Sequence, residues 1–310
     1  MAHTYLTTAN VATFNKTDMD LLVSDVLDEA PLLSMLAART VRGNTFLYTK
    51  KTANPAVGFR AANDGIETKV ATYEKVTCTL GILDASFAVD MAVAQSDERG
   101  WQHIMAEEAI AHLRQSMREV EEQIIYGTAN DAAGFAGFAG QANLNENDDT
   151  MVVDAGGTTA GTGSSVWLIR TGEPDVQVLW GQEGVISIGD MQIVERSGSA
   201  TGTFPAYYHP ITGWAGLKIG SVYSVGRICN LTADAGKGLT DDLIADAIAK
   251  FPSGRGPSVM AMNRRSLKQL QNSRTATNAT GAPAPFPVEA FGIPIVVTDA
   301  IGSTETLLST

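Results

Sequence analysis

The side chains able to do chemistry are few and scattered. His3, His103, His112 and His209 are the only imidazoles of the 310 residues, and Cys78 and Cys229 the only thiols. His103 and His112 stand nine positions apart in a stretch with helical periodicity, which turns them to opposite sides, so they cannot share a metal ion or a proton. The sequence holds no H-E-x-x-H, no C-x-x-C, no G-x-S-x-G and no P-loop. Gly134, Gly137 and Gly140, with Phe135 and Phe138 between them, are spaced G-x-x-G-x-x-G and follow a helix, whereas a dinucleotide cradle needs G-x-G-x-x-G between a strand and a helix. That run reads as a sharp turn with two aromatic anchors. Asn143, Asn145, Asn147 and Asp149 alternate as calcium ligands do, but lack the glycine and the closing bidentate glutamate of such a loop. No catalytic group, cofactor or metal ion is expected, which moves the question from sites to surfaces.

Composition narrows it further. An apolar content of 44% and a mean hydropathy of +0.01 give a chain long enough for a substantial core, with room for two domains. Charged residues make up 18% and glycine 30 positions, which suits a turn-rich strand protein with surface destined for burial. The net charge of −12 and a pI near 4.7 argue against tight nucleic-acid binding, because neutralising phosphates takes clustered Lys and Arg. The N-terminal residues show neither a basic start nor an apolar secretory core, so a reduced cytosolic origin with both thiols buried is expected. No apolar run reaches the roughly 18 residues of a membrane span. The sequons at Asn15, Asn230 and Asn278 are then chance matches.

The strongest scaffold signal is a helix expected over Asp97 to Tyr126. Trp101, Met105, Ala109, Leu113, Met117, Val120 and Ile124 recur every three or four residues on one stripe. Asp97 and Glu98 suit a helix start and Gly127 a stop. Glu107, Glu108, Arg114, Arg118, Glu119, Glu121 and Glu122 fall on the other faces, as a solvated or subunit-facing flank. Before this spine, residues 1–40 read as an arm with a helical apolar face at Leu21, Leu22, Val26 and Leu27 and a second turn opened by Pro31. Val41 to Val93 is strand-like, and its middle, Lys50 to Lys75, carries too few large apolar residues to bury itself. From Ser165 to Leu231 the pattern is almost wholly strand, long enough to include an inserted lobe. Thr240 caps a helix that Pro252 ends, Ser258 to Met262 is a short buried strand, and a helix from Asn263 to about Ser273 turns Arg264, Arg265 and Lys268 outward. A loop over 274–287 and a strand in FGIPIVVTDAI close the chain.

The order of these parts resembles the major capsid proteins of tailed bacteriophages, with the Hong Kong 97-like fold. The most specific pieces are the G-T-x-N-x-x-x-G-F passage at Gly127 to Phe135, the helix, strand and helix of Leu239 to Arg274, and the G-x-P-x-x-V-T-D ending at Gly292 to Asp299. The resemblance implies an α+β capsid fold: an N-terminal arm over 1–40, an extended β-hairpin loop over 41–95, and a peripheral domain over 96–238 with spine helix and β-sheet. An axial α/β domain over 239–290 and a return strand to the peripheral domain over 291–310 complete it. It implies a structural subunit of the virion that assembles in the bacterial host cytoplasm into an icosahedral head. The copies would form pentamers and hexamers that enclose double-stranded DNA without tight binding and without a membrane. Portal and cement proteins are implied partners. With no charged scaffolding segment ahead of the arm, a separate scaffold protein, or none, would guide assembly. Lys50, Lys51, Arg60, Lys69, Lys75, Arg264 and Arg265 are the candidate inter-subunit contacts. Some family members join a loop lysine to a neighbour's asparagine, but no partner for such a bond is identifiable here. Two readings from other classes stay open, a β-rich adhesion module and a hydrolase with an unrecognised site.

Overall fold

The computed structural model describes residues 29–67, 69–197, 202–278 and 282–309. The arm expected up to residue 28 therefore lies outside the described residues. In chain order the elements are α1 (Pro31–Met35), β1 (Ala38–Thr40), β2 (Thr45–Ala53), β3 (Thr72–Thr79), β4 (Gly81–Asp84), β5 (Phe87–Asp90), α2 (Met91–Ala94) and the spine helix α3 (Trp101–Tyr126). Then come β6 (Val152–Asp154), β7 (Ser164–Ile169), β8 (Val176–Trp180), β9 (Ser187–Ile188), β10 (Gln192–Ser197), β11 (Thr203–His209), β12 (Ile211–Ile219) and β13 (Val225–Leu231). The last are α4 (Asp241–Ala249), β14 (Val259–Met262), α5 (Arg264–Ala276), β15 (Glu289–Ala290) and β16 (Ile293–Val297).

The spine has 26 residues, about 39 Å at 1.5 Å per residue. It starts later than the acids at 97 and 98 suggest. The Asp97 carboxylate accepts the Arg99 N–H in a turn, and Gly100, at φ +96°, forms the cap. It stops at Gly127, whose φ of +59° an L side chain resists. A Cβ there would also strike the backbone of Gly137, and one on Gly137 would strike the Gln123 carbonyl. The glycines thus let the 134–140 loop pack flush on the spine, held by Phe135 and Phe138, both buried.

One member of the presumed solvated flank is misplaced in the sequence reading. Glu121 is wholly buried. Its carboxylate accepts the N–H groups of Leu32, at 2.9 Å, and Leu33, at 3.2 Å, and the hydroxyl of Thr298. It thereby caps α1 and ties the start and end of the described chain to the spine. Burial raises its pKa above the usual carboxylate value, against the pull of these hydrogen bonds.

The main core lies under a six-stranded sheet ordered β15-β16-β14-β7-β13-β6. Every residue of β7, β13 and β14 is buried. This sheet runs across the expected boundary at 238. Of the strand-rich body, β7 pairs with β14 of the segment 239–290 on one side and with β13 on the other, and the closing strand β16 runs parallel to β14. The return to the spine comes only after β16, where Gly302 N–H donates to the Tyr126 hydroxyl at 2.7 Å and that hydroxyl bonds to Glu305. The physical reason is that a run as apolar as Ile293 to Val297 is most stable beside an equally apolar strand. The helices behave as read: Thr240 caps α4 and Asn263 caps α5, each by a side-chain oxygen accepting a backbone N–H.

A second sheet orders β1-β8-β12-β4, with β9 also on β12, and a third pairs β10 with β11 and β11 with β5. The β10 and β11 strands stand where an inserted lobe is expected. The two remaining strands, β2 and β3, pair only with each other. Within 41–95, β4 and β5 join β12 and β11 of the body. Phe87, Val89 and Val93 supply the reason, since all three are buried.

Candidate assembly interface

The β2–β3 hairpin keeps register from Thr45 opposite Thr79 to Lys51 opposite Tyr73, then shifts so that Ala53 meets Thr72. An isolated bridge, Ala56 to Lys69, continues it toward the tip. At the root, period-two alternation turns Phe46, Tyr48, Val76 and Cys78 toward the body while Leu47 and Thr77 face out. The Tyr48 hydroxyl donates to the Ile219 carbonyl at 2.6 Å. The Lys218 ammonium lies 5.3 Å from the Tyr48 ring centroid, and the Arg39 guanidinium 5.0 Å from that of Phe46. Burial pushes the Tyr48 phenol up to about 12 and the Lys218 ammonium down. The root is fixed.

Beyond Lys50 no body residue among those described covers the ribbon. Each described residue from Lys51 to Val70 is exposed. Val57 is 88% and Val70 89% exposed, and Phe59 fully so. A two-stranded ribbon is marginal alone in water, and apolar side chains grouped in the open mark a contact surface. Both ribbon edges also leave backbone donors and acceptors free for a partner.

Five of the seven cations named from the sequence gather on this ribbon. Lys50 lies opposite Glu74, Lys75 opposite Thr49 and Lys51 opposite Tyr73. Lys69 pairs with Glu67 at 3.5 Å, and Arg60 donates to the Asp64 carbonyl at 3.1 Å. These are short-range, solvated contacts worth little, so the charges remain available. Arg264 and Arg265 stand apart at the start of α5. Arg264 binds Asp299 at 2.7 Å. Arg265 donates to the carbonyls of Ser303, Thr162 and Leu231, and burial lowers its pKa. Its two terminal nitrogens thus bond within its own chain. Val57, Phe59 and Val70, the most exposed part of the hairpin, escape the reading from sequence. The signal was there, as large apolar residues in a polar, Pro- and Gly-broken run.

The titratable groups elsewhere have structural tasks. His103 lies between Asp97 and Glu107, and His112 stacks on Phe87 with centroids 4.9 Å apart. Burial pushes the Cys229 thiol up to about 12 and raises that of Cys78. Among the described residues no three His, Cys, Asp or Glu side chains are placed to hold a metal ion, and no helix is long and apolar enough to cross a membrane.

Residues 29–309 match the family described as major capsid protein GP7. No curated protein matches the chain. Among solved structures, the capsid of bacteriophage Epsilon15 superposes with a TM-score of 0.69 at 21% identity, covering 100% of this chain and 99% of that one. The bacteriophage JBD30 capsid gives a TM-score of 0.52 at 12% identity, covering 95% and 99%. Both likenesses show the Hong Kong 97-like capsid fold.

Proposed function

Since the chain belongs to the major capsid protein GP7 family, and so is a structural subunit of a tailed-phage capsid whose copies assemble with one another in the virion, we propose that each copy lays its β2–β3 hairpin over a neighbour. The single observation behind this reading is the exposed tip from Lys51 to Val70, which finds no cover among the described residues. Contact between copies stabilises what one copy leaves open. Lys50, Lys51, Arg60, Lys69 and Lys75 steer and register that contact, and Arg264 adds a further exposed charge.

In this reading copies join as pentamers and hexamers of an icosahedral shell, built in the host cytoplasm around double-stranded DNA. The net charge of −12 supports a wall that encloses DNA without gripping it. The subunit performs no catalysis. A separate scaffold, a portal and cement proteins are its further partners. Replacing residues 54–71 by an Asn-Gly turn tests the proposal. Light scattering and negative-stain microscopy should show shells or rings for the full chain and only folded subunits for the shortened one. Shells of normal yield from the shortened chain would overturn it.

A further inference from the structure

The first turns of the spine helix carry an apolar recess of about 280 Å³, lined by Trp101, Met105, Ala106, Ala109, Met191 and His209. Its wall is braced, since Trp101 stacks on Tyr207 with centroids 4.9 Å apart. Its floor is adaptable, because methionine side chains reshape around what they meet. A dry apolar cavity of about 150 Å³ holds a benzene molecule, so this one has room for a phenylalanine side chain. One wall is also polar and unfinished: the buried Nδ1 of His209 has no hydrogen-bond partner among the described residues.

The recess sits in acidic surroundings. Over residues 97–112 Asp97, Glu98, Glu107 and Glu108 outnumber Arg99, with His103 beside Asp97 and Glu107 and His112 beside Glu108, and the exposed Asp190 adjoins Met191. The hairpin, residues 45–79, has the opposite balance, with Lys50, Lys51, Arg60, Lys69 and Lys75 against Asp64, Glu67 and Glu74. It is a locally cationic element in a chain of net charge −12. Its most exposed aromatic is Phe59, with the exposed Val57 two residues earlier and Arg60 next to it.

We propose that this recess receives Phe59 from the hairpin of a second copy. The proposal rests on the reading that the hairpin lies over a neighbour, and it names the receiving surface. Size, apolarity and charge agree, and Arg60 brings donors to the wall that holds the unpaired His209 nitrogen. Knob and recess are different surfaces of one chain, so the contact is heterologous and repeats from copy to copy, as a ring or shell requires.

Three variants test it on the full chain. Phe59→Ala empties the knob, and Ala106→Trp fills the recess from an exposed helix position. Each should lower shell yield by tenfold or more in light scattering, while circular dichroism shows a folded subunit. In a Cys78→Ser background, Phe59→Cys combined with Ala106→Cys should give disulfide-linked multimers in oxidised shells, and neither single variant should. Wild-type yield from Ala106→Trp, with no cross-link in the pair, would overturn the recess while loss of assembly in Phe59→Ala kept the hairpin reading. Loss of assembly in Ala106→Trp without a cross-link would also overturn it, by giving the recess a different occupant. Normal shells from Phe59→Ala and from the chain lacking 54–71 would remove both.

Discussion

The two most strand-like regions of the chain have opposite fates. In β7, β13 and β14 every residue is buried, while in β2 and β3 none is. Both are rich in β-branched and aromatic residues. The difference is pattern: SSVWLI and VGRICNL are near-continuous apolar runs suited to cover on both faces, whereas TFLYTKKTA alternates and carries lysines. Even the one charge in these three strands is answered. Arg227 bonds to Ser165, the Leu144 carbonyl and Glu305, with its guanidinium 4.7 Å from the Trp167 ring centroid. One region completes its contacts within the chain, and the other holds them open for another copy.

The contrast is most sharply tested by aromatic truncation on each side of it. Trp167, fully buried against Phe138, should cost about 3–5 kcal/mol on truncation to Ala. Phe59→Ala should change the urea stability of the free subunit by less than about 0.5 kcal/mol. Equal losses would erase the distinction.

Glu121 comes next in size. Glu121→Ala strands the donors of Leu32, Leu33 and Thr298, for a loss of roughly 2–3 kcal/mol. Glu121→Gln should be milder, because an amide can accept from the backbone and donate to the threonine. The pH dependence follows from a pKa raised above the ordinary value of 4.5. The folded state binds that proton more tightly, so this group's contribution is fully present below the unfolded pKa and is lost as pH rises through the folded one. Thermal melts at pH 5 and pH 8 should show a smaller drop for Glu121→Gln than for the natural chain. A larger drop would contradict the assignment.

The smallest effect has the opposite sign. Phe291 adopts φ +53° ahead of Gly292 at φ +75°, in the two-residue turn between β15 and β16, and it is 61% exposed. Asn-Gly is the favoured pair for such a turn. Phe291→Asn should therefore raise the stability of the free subunit by about 1 kcal/mol, seen as a higher melting midpoint.

How far the sequence could be read followed from how local each signal was. The spine, the capped helices α4 and α5, the aromatic anchors of the 134–140 loop and the self-paired hairpin rest on periodicity, caps and glycine spacing within a few residues. Glu121 was misread because its partners, Leu32 and Thr298, lie 89 and 177 residues away. Nothing nearby separates it from Glu119 or Glu122. The three carbonyls that Arg265 meets likewise come from distant segments. Sheet order is a long-range property too, and nothing local to 239–290 announces that β14 takes β7 and β16 as neighbours. The recess beside Trp101 combines a helix face with residues near 190 and 209, and no local pattern announces it.

Amide hydrogen exchange, read in the free subunit and in assembled shells, addresses the central claim most directly. The account predicts that amides from residue 54 to 71 exchange at once in the free subunit and become strongly protected in the shell, while those of β7, β13 and β14 are protected in both. Protection of the hairpin tip already in the free subunit, or none in the shell, would contradict it.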